Sequence, residues 1–210
     1  MEFFLFNILF NSMFFYILCK FFTWFFENLK LGSNFTSLVH ASISTFMSFT
    51  ILFNKYLLKT NPNEMINLVN YARSFSAGYF LYDVYISYKH CTGILRYGYI
   101  YHHIASILTL FENYLIYPVF EILFLAELSN LPSYFVVYYI NLNKKFIGKF
   151  INETKYYKKI QKFFYSLIRV LLLGYLCVDN FMNNGINRVG VITLPVYLMG
   201  LFWSYKIICN

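Results

Sequence analysis

Charge is what this sequence has least of. Asp, Glu, Lys and Arg make up 12% of its 210 residues, where soluble domains run nearer a quarter. With 59% of the chain hydrophobic, a disordered tail, a collagen-like rod and a disulfide-stapled miniprotein are all excluded. A core of this size cannot bury so many apolar side chains, and a bilayer must take the rest. Cysteine is scarce too. Cys19, Cys91, Cys177 and Cys209 show no C-x-x-C spacing, so neither a zinc site nor a disulfide framework is expected. The 4 histidines are too few for the histidine boxes of membrane di-iron oxygenases. Two imidazoles and a carboxylate could hold one ion, but the expectation is no metal and no cofactor. The G-x-S-x-G, H-E-x-x-H, Walker and dinucleotide fingerprints are missing, as are internal repeats and any linker long enough to divide the chain.

What is abundant is the long apolar run. Windows of about 20 residues, enough to cross a hydrocarbon core, fall at 3–26, 36–58, 72–88, 97–117, 119–140, 163–181 and 189–208. The first has no basic flank or small-residue cleavage site and reads as a retained helix. Only Tyr117 and Pro118 separate the fourth window from the fifth, and a tight reversal is expected at Pro118. The fold class that follows is an all-α polytopic membrane protein of about seven transmembrane helices.

The net charge of +8 comes largely from one polar stretch, 141–162, which carries Lys144, Lys145, Lys149, Lys155, Lys158, Lys159 and Lys162 against Glu153. It is expected to be a solvated loop that touches anionic headgroups, so a membrane face rather than nucleic acid is the partner. Positive charge is retained in the cytosol during insertion. That side then also holds Lys30, Lys89, Arg96 and Lys206, and the other Lys55, Lys59, Arg73 and Arg188. The N-terminus is placed in the lumen and the C-terminus in the cytosol. Lys20 and Arg169 lie inside windows and are expected to snorkel to the cytosolic end.

Ionisable groups inside a span are functional candidates, because hydrocarbon penalises them unless they meet a partner or a wet cavity. His102 and His103 fall five residues into the fourth window, roughly 8 Å below its cytosolic end. Asp83 lies equally deep in the third, so a carboxylate and the histidine pair can share one level on neighbouring helices. His102, Ser106, Thr109 and Asn113 recur at i, i+4, i+7 and i+11, one stripe of a helix. Glu127, Asn130, Tyr134, Tyr138 and Asn141 form a similar stripe on the fifth helix, and Arg169, Asn180 and Asn183 a thinner one on the sixth. Three inward stripes imply a hydrated or lipid-filled cavity, whereas as plain interhelical glue they would only join helices. Glu112, Glu121 and Asp179 sit near luminal ends within reach of water. His40 and His90 read as loop or boundary residues without a visible partner.

These residues resemble the TLC-domain family, which includes ceramide synthases, translocon-associated proteins and lipid-homeostasis proteins. The stretch Ser76-Ala77-Gly78-Tyr79-Phe80-Leu81-Tyr82-Asp83 is similar to the family's Gly-Tyr-Phe and Tyr-Asp segment. His102-His103 resembles its paired histidines, and Glu127-Leu128-Ser129-Asn130 its later acidic segment. The likeness runs from about Asn34 to Ile208. It implies an N-terminal helix and loop over 1–33 and a barrel-like bundle of six helices over 34–210, usually in the endoplasmic reticulum. Ceramide synthases carry His-Asp and a second Asp where this chain has Ala126-Glu127 and Asn130, which aligns it with the smaller members of the family.

The resemblance implies a role in membrane lipid metabolism or homeostasis, with sphingolipid or ceramide chemistry as its enzymatic form. As an enzyme the chain would be an acyl-CoA-dependent N-acyltransferase, with His102, His103 and Asp83 as catalytic residues. Tyr79, Tyr82, Ser106, Glu127, Asn130 and Tyr134 are the candidates for lipid or substrate binding. The alternatives are a non-enzymatic lipid- or cargo-binding protein and a small seven-helix transporter. Candidate partners are a long-chain lipid or acyl-CoA, the bilayer itself and a second copy of the chain.

Overall fold

A computed structural model describes residues 2–111, 116–184 and 188–209, and every regular element among them is a helix. They are α1 (Glu2–Phe26), α2 (Leu29–Phe53), α3 (Pro62–His90), α4 (Gly93–Leu110), α5 (Ile116–Lys145), α6 (Ile151–Phe164), α7 (Leu173–Asn184) and α8 (Arg188–Cys209). A π-helical turn, Asn54–Leu58, prolongs α2, and a longer π-helical stretch, Tyr165–Leu172, joins α6 and α7 into one rod. The rods match the apolar windows one for one. Phe4–Phe26, Leu29–Leu58, Pro118–Lys145 and Ile151–Asn183 are each long and apolar enough to cross a bilayer. The protein is an all-α membrane protein.

Packing closes a ring. α2 lies against α3, α3 against α4, α4 against α8, α8 against the α6–α7 rod, that rod against α5, and α5 against α2. α1 stands outside and packs on α2 and α3. Its approach to α3 depends on Gly78, where an added Cβ would come within 2.8 Å of the Ile8 carbonyl oxygen; small residues admit such close crossings between membrane helices. Phe15 of α1 is fully buried there, its ring 5.0 Å from Phe75 and 5.2 Å from Tyr79. The turn into α2 places Glu27 at a positive φ of 51°, and the Asn28 side chain then accepts from the Leu31 N–H at 3.2 Å, a helix N-cap. The outward faces of α1 and α2 are apolar, with Phe6, Phe10, Trp24 and Phe46 all more than half exposed, as lipid-facing surfaces must be.

Three expectations need correction. The reversal between the fourth and fifth windows is not at Pro118. α4 ends at Leu110 and α5 has begun by Ile116, so Pro118 sits in the first turn of α5, where a missing N–H costs no hydrogen bond. The stretch 141–162 is not a loop. α5 continues to Lys145 and α6 begins at Ile151, and Asn143 clamps the turn between them. Its Oδ1 accepts from the Phe150 N–H at 2.6 Å, while its Nδ2 donates to the Phe150 carbonyl at 2.9 Å. Tyr157 of α6 stacks on Phe135 and Tyr139 of α5, each ring 5.1 Å away, so the lysines stand on a helical hairpin. The polar stripe on the sixth rod is also broken. Asn183 is exposed and donates to Asp179 at 3.0 Å, because Arg169 lies within the π-helical stretch, which shifts the α-helical register of the residues that follow it. Glu112 and Asn113 lie outside the described residues, as do the side chains of Tyr117, Asn180 and Arg188.

Candidate functional site

α3 and α4 are joined by a short turn and run side by side, which brings Asp83 to the depth of the histidine pair. Asp83 Oδ2 lies 2.7 Å from His103 Nε2, the length of a charge-assisted hydrogen bond. His103 is buried and its ring lies 5.6 Å from Phe80, inclined by 26°. The His102 ring is 5.0 Å from that of His103 and meets Trp203 of α8 edge-on at 6.1 Å. Nδ1 of both histidines is buried without a hydrogen-bond partner.

Two hollows flank this pair. One, of about 120 Å³, lies inside the ring, and His102, Ser106, Thr109, Glu127, Asn130 and Arg169 supply its polar wall. The expected stripe on α4 thus faces a cavity, although Ser106 and Thr109 return their hydroxyl protons to the His102 and Ala105 carbonyls at 2.8 Å each. The other hollow, of about 530 Å³, is a vestibule where α2 starts and α3 ends, with Lys30, Ser37, Asp83, His90 and Tyr99 on its wall. Asp83 therefore touches the vestibule and His102 the inner chamber, with the Asp83–His103 bond between them.

A second polar cluster was not foreseen. His40, expected at a boundary, is fully buried on α2. Its Nε2 is 2.9 Å from Ser44 Oγ, which reaches Ser76 Oγ at 3.0 Å. Its Nδ1 faces Glu127 Oε1 at 3.9 Å, and its ring stacks almost flat on Tyr79, centroids 3.8 Å apart. Tyr79 donates in turn to Ser37 Oγ at 2.8 Å. The available signal was Ser37, His40, Ser44 and Ser48, a polar stripe at helical spacing inside an apolar window.

Arg169 does not snorkel. It is 8% exposed and turned inward by the π-helical stretch. Its Nε donates to Ser129 Oγ at 2.9 Å and its Nη2 to Asn130 Oδ1 at 2.8 Å, and the guanidinium lies 5.0 Å from the centre of the Tyr165 ring. Asn130 Oδ1 also accepts from the Tyr165 hydroxyl at 3.2 Å, and Asn130 Nδ2 points to Glu127 Oε2 at 3.4 Å. Of the other sequence candidates, Tyr82 is buried among the rings around Phe15. Tyr134 offers its backbone carbonyl to Asn34 Nδ2 at 3.0 Å. Tyr79, Tyr82 and Tyr134 stand behind the chamber wall rather than on it. Glu121, near the opposite end, accepts from the Tyr56 hydroxyl. Among the described residues no three His, Cys, Asp or Glu side chains gather as a metal cluster.

Among known families, the one described as the TLC domain matches residues 30–209. No curated protein and no solved structure matches the chain.

Proposed function

This chain belongs to the TLC-domain family of lipid-related membrane proteins, and from that membership we propose that it acts in membrane lipid metabolism or homeostasis, its inner chamber holding a long-chain lipid beside His102. One observation carries the reading. His102 is on the chamber wall, while His103 behind it is held by a carboxylate that reaches the vestibule. Packing alone would need neither the hollow nor the second histidine.

In its enzymatic form the reaction is N-acyl transfer. The amine nitrogen of a sphingoid base bonds to the thioester carbonyl carbon of an acyl-CoA, the carbon–sulfur bond breaks, and the amine proton passes through His102 to the departing thiolate. His102 is the member of the pair on the chamber wall, the position from which a ring nitrogen takes and returns a proton. His103 and Asp83 fix that ring pair in place, and Ser106, Glu127 and Asn130 line the seat of the lipid. The endoplasmic reticulum, with the vestibule and the lysine-bearing hairpin in the cytosol, suits a donor whose nucleotide head stays in water. The test is the protein in liposomes supplied with acyl-CoA and sphingoid base. N-acyl product above the level of His102→Ala and His103→Ala is expected, and product no greater than theirs rules out this acyl transfer.

A further inference from the structure

A guanidinium inside a bilayer-spanning segment calls for an anion or water to meet it. Arg169 lines the inner chamber, yet its acceptors are neutral: Ser129 Oγ, Asn130 Oδ1 and, at 3.5 Å, the Ala126 carbonyl. Glu127, the carboxyl group of this network, makes no direct hydrogen bond with the guanidinium but is linked to it through the Asn130 amide, and its other oxygen faces His40. These bonds use Nε and Nη2 and leave the two protons of Nη1. Nη1 lies against Gly200 of α8, where an added Cβ would stand 3.5 Å from it. The absent side chain keeps that edge of the guanidinium open to the chamber.

The wall changes character along its length. Arg169, Glu127 and Asn130 gather at one end, and Leu110, Val119 and Val196 line the other. Along α5 the distance from Asn130 to Val119 is about 16 Å by helical rise. We propose that the chamber receives a single-chain lipid headed by a carboxylate, which accepts from the Nη1 edge of Arg169 while its chain runs along the apolar end. Glu127 already places a carboxyl group near this guanidinium, so a carboxylate head adds a single negative charge to the wall whereas a phosphate head adds up to two. Among the described lining residues Arg169 is the one permanent cation. This names the head of the lipid in the reading above and rests on the chamber's holding a lipid at all.

The test is binding rather than turnover. The protein in nanodiscs of zwitterionic lipid is loaded with a fluorescent polyene fatty acid, which is displaced by a saturated fatty acid, its methyl ester or the matching amine, with empty nanodiscs as background. The acid is expected to displace roughly ten- to hundredfold better than ester or amine, the margin of a charge-assisted hydrogen bond. Arg169→Gln erases that margin, so that acid and ester displace the probe alike. Should Arg169→Gln fail to fold, Gly200→Ala fills the space beside Nη1 at ordinary contact distance and lowers acid affinity with thermal unfolding unchanged. Equal displacement by acid and ester, or a margin that survives both substitutions, overturns the carboxylate assignment and leaves the lipid reading standing. No probe bound above background overturns both.

Discussion

Removing the Asp83 carboxylate tests whether the histidine pair is held from the vestibule. In Asp83→Ala, His103 Nε2 loses its partner at 2.7 Å, and because Nδ1 already has none the ring is left with neither nitrogen satisfied. His103 is 7% exposed, so its ring meets water only through the space the carboxylate vacates on the vestibule side. A buried group stripped of its partner costs about 1–3 kcal/mol. In His103→Phe the ring contact with Phe80 survives, and Asp83, 18% exposed at its side chain and open to the vestibule, is rehydrated at a cost of about 0.5–1 kcal/mol. The double variant then resembles His103→Phe alone, so the coupling between the two sites equals the Asp83→Ala effect, about 1–3 kcal/mol. For a chain of this length each kcal/mol moves Tm by about 2–4 °C. Thermal unfolding in nanodiscs, followed by the fluorescence of Trp203 beside His102, reads the cycle. Additive single effects, within about 0.5 kcal/mol, would refute the claim that the bond stabilises the site.

Two further outcomes follow from the packing. Gly78→Val drives a β-branched side chain into the Ile8 carbonyl of α1 and is expected to cost about 1–3 kcal/mol, seen as loosened protease protection of α1 while α2 to α8 stay folded; an unchanged digestion pattern would mean that α1 is not seated there. Cys209 is exposed at the end of α8 while Cys19 is buried, so with a cytosolic C-terminus an impermeant maleimide labels Cys209 without the vesicle being opened. Labelling of sealed microsomes with the cytosolic face outward would agree with that orientation, and protection there would reverse it.

Periodicity set His102, Ser106 and Thr109 of α4, and Glu127 and Asn130 of α5, on faces that turn to the chamber while Tyr134, of the same α5 stripe, falls behind its wall, because residues on one helix share a face whatever surrounds them. The amino-acid order alone therefore determined an all-helical membrane protein, the depth match of Asp83 with His102 and His103, and the inward turn of Ser106, Thr109, Glu127 and Asn130. It misplaced Arg169 and passed over His40, both of which depend on events between helices. A basic residue in an apolar window can reach the interface or be captured inside, and only the π-helical stretch Tyr165–Leu172, with Ser129 and Asn130 waiting on α5, decided for capture. His40 lies some 87 residues before Glu127, and no local pattern shows which helices will close the ring that makes them neighbours. Which stripes face one another, and whether a hollow remains between them, is set by side-chain volumes meeting across helices, and that is fixed only when the ring is packed.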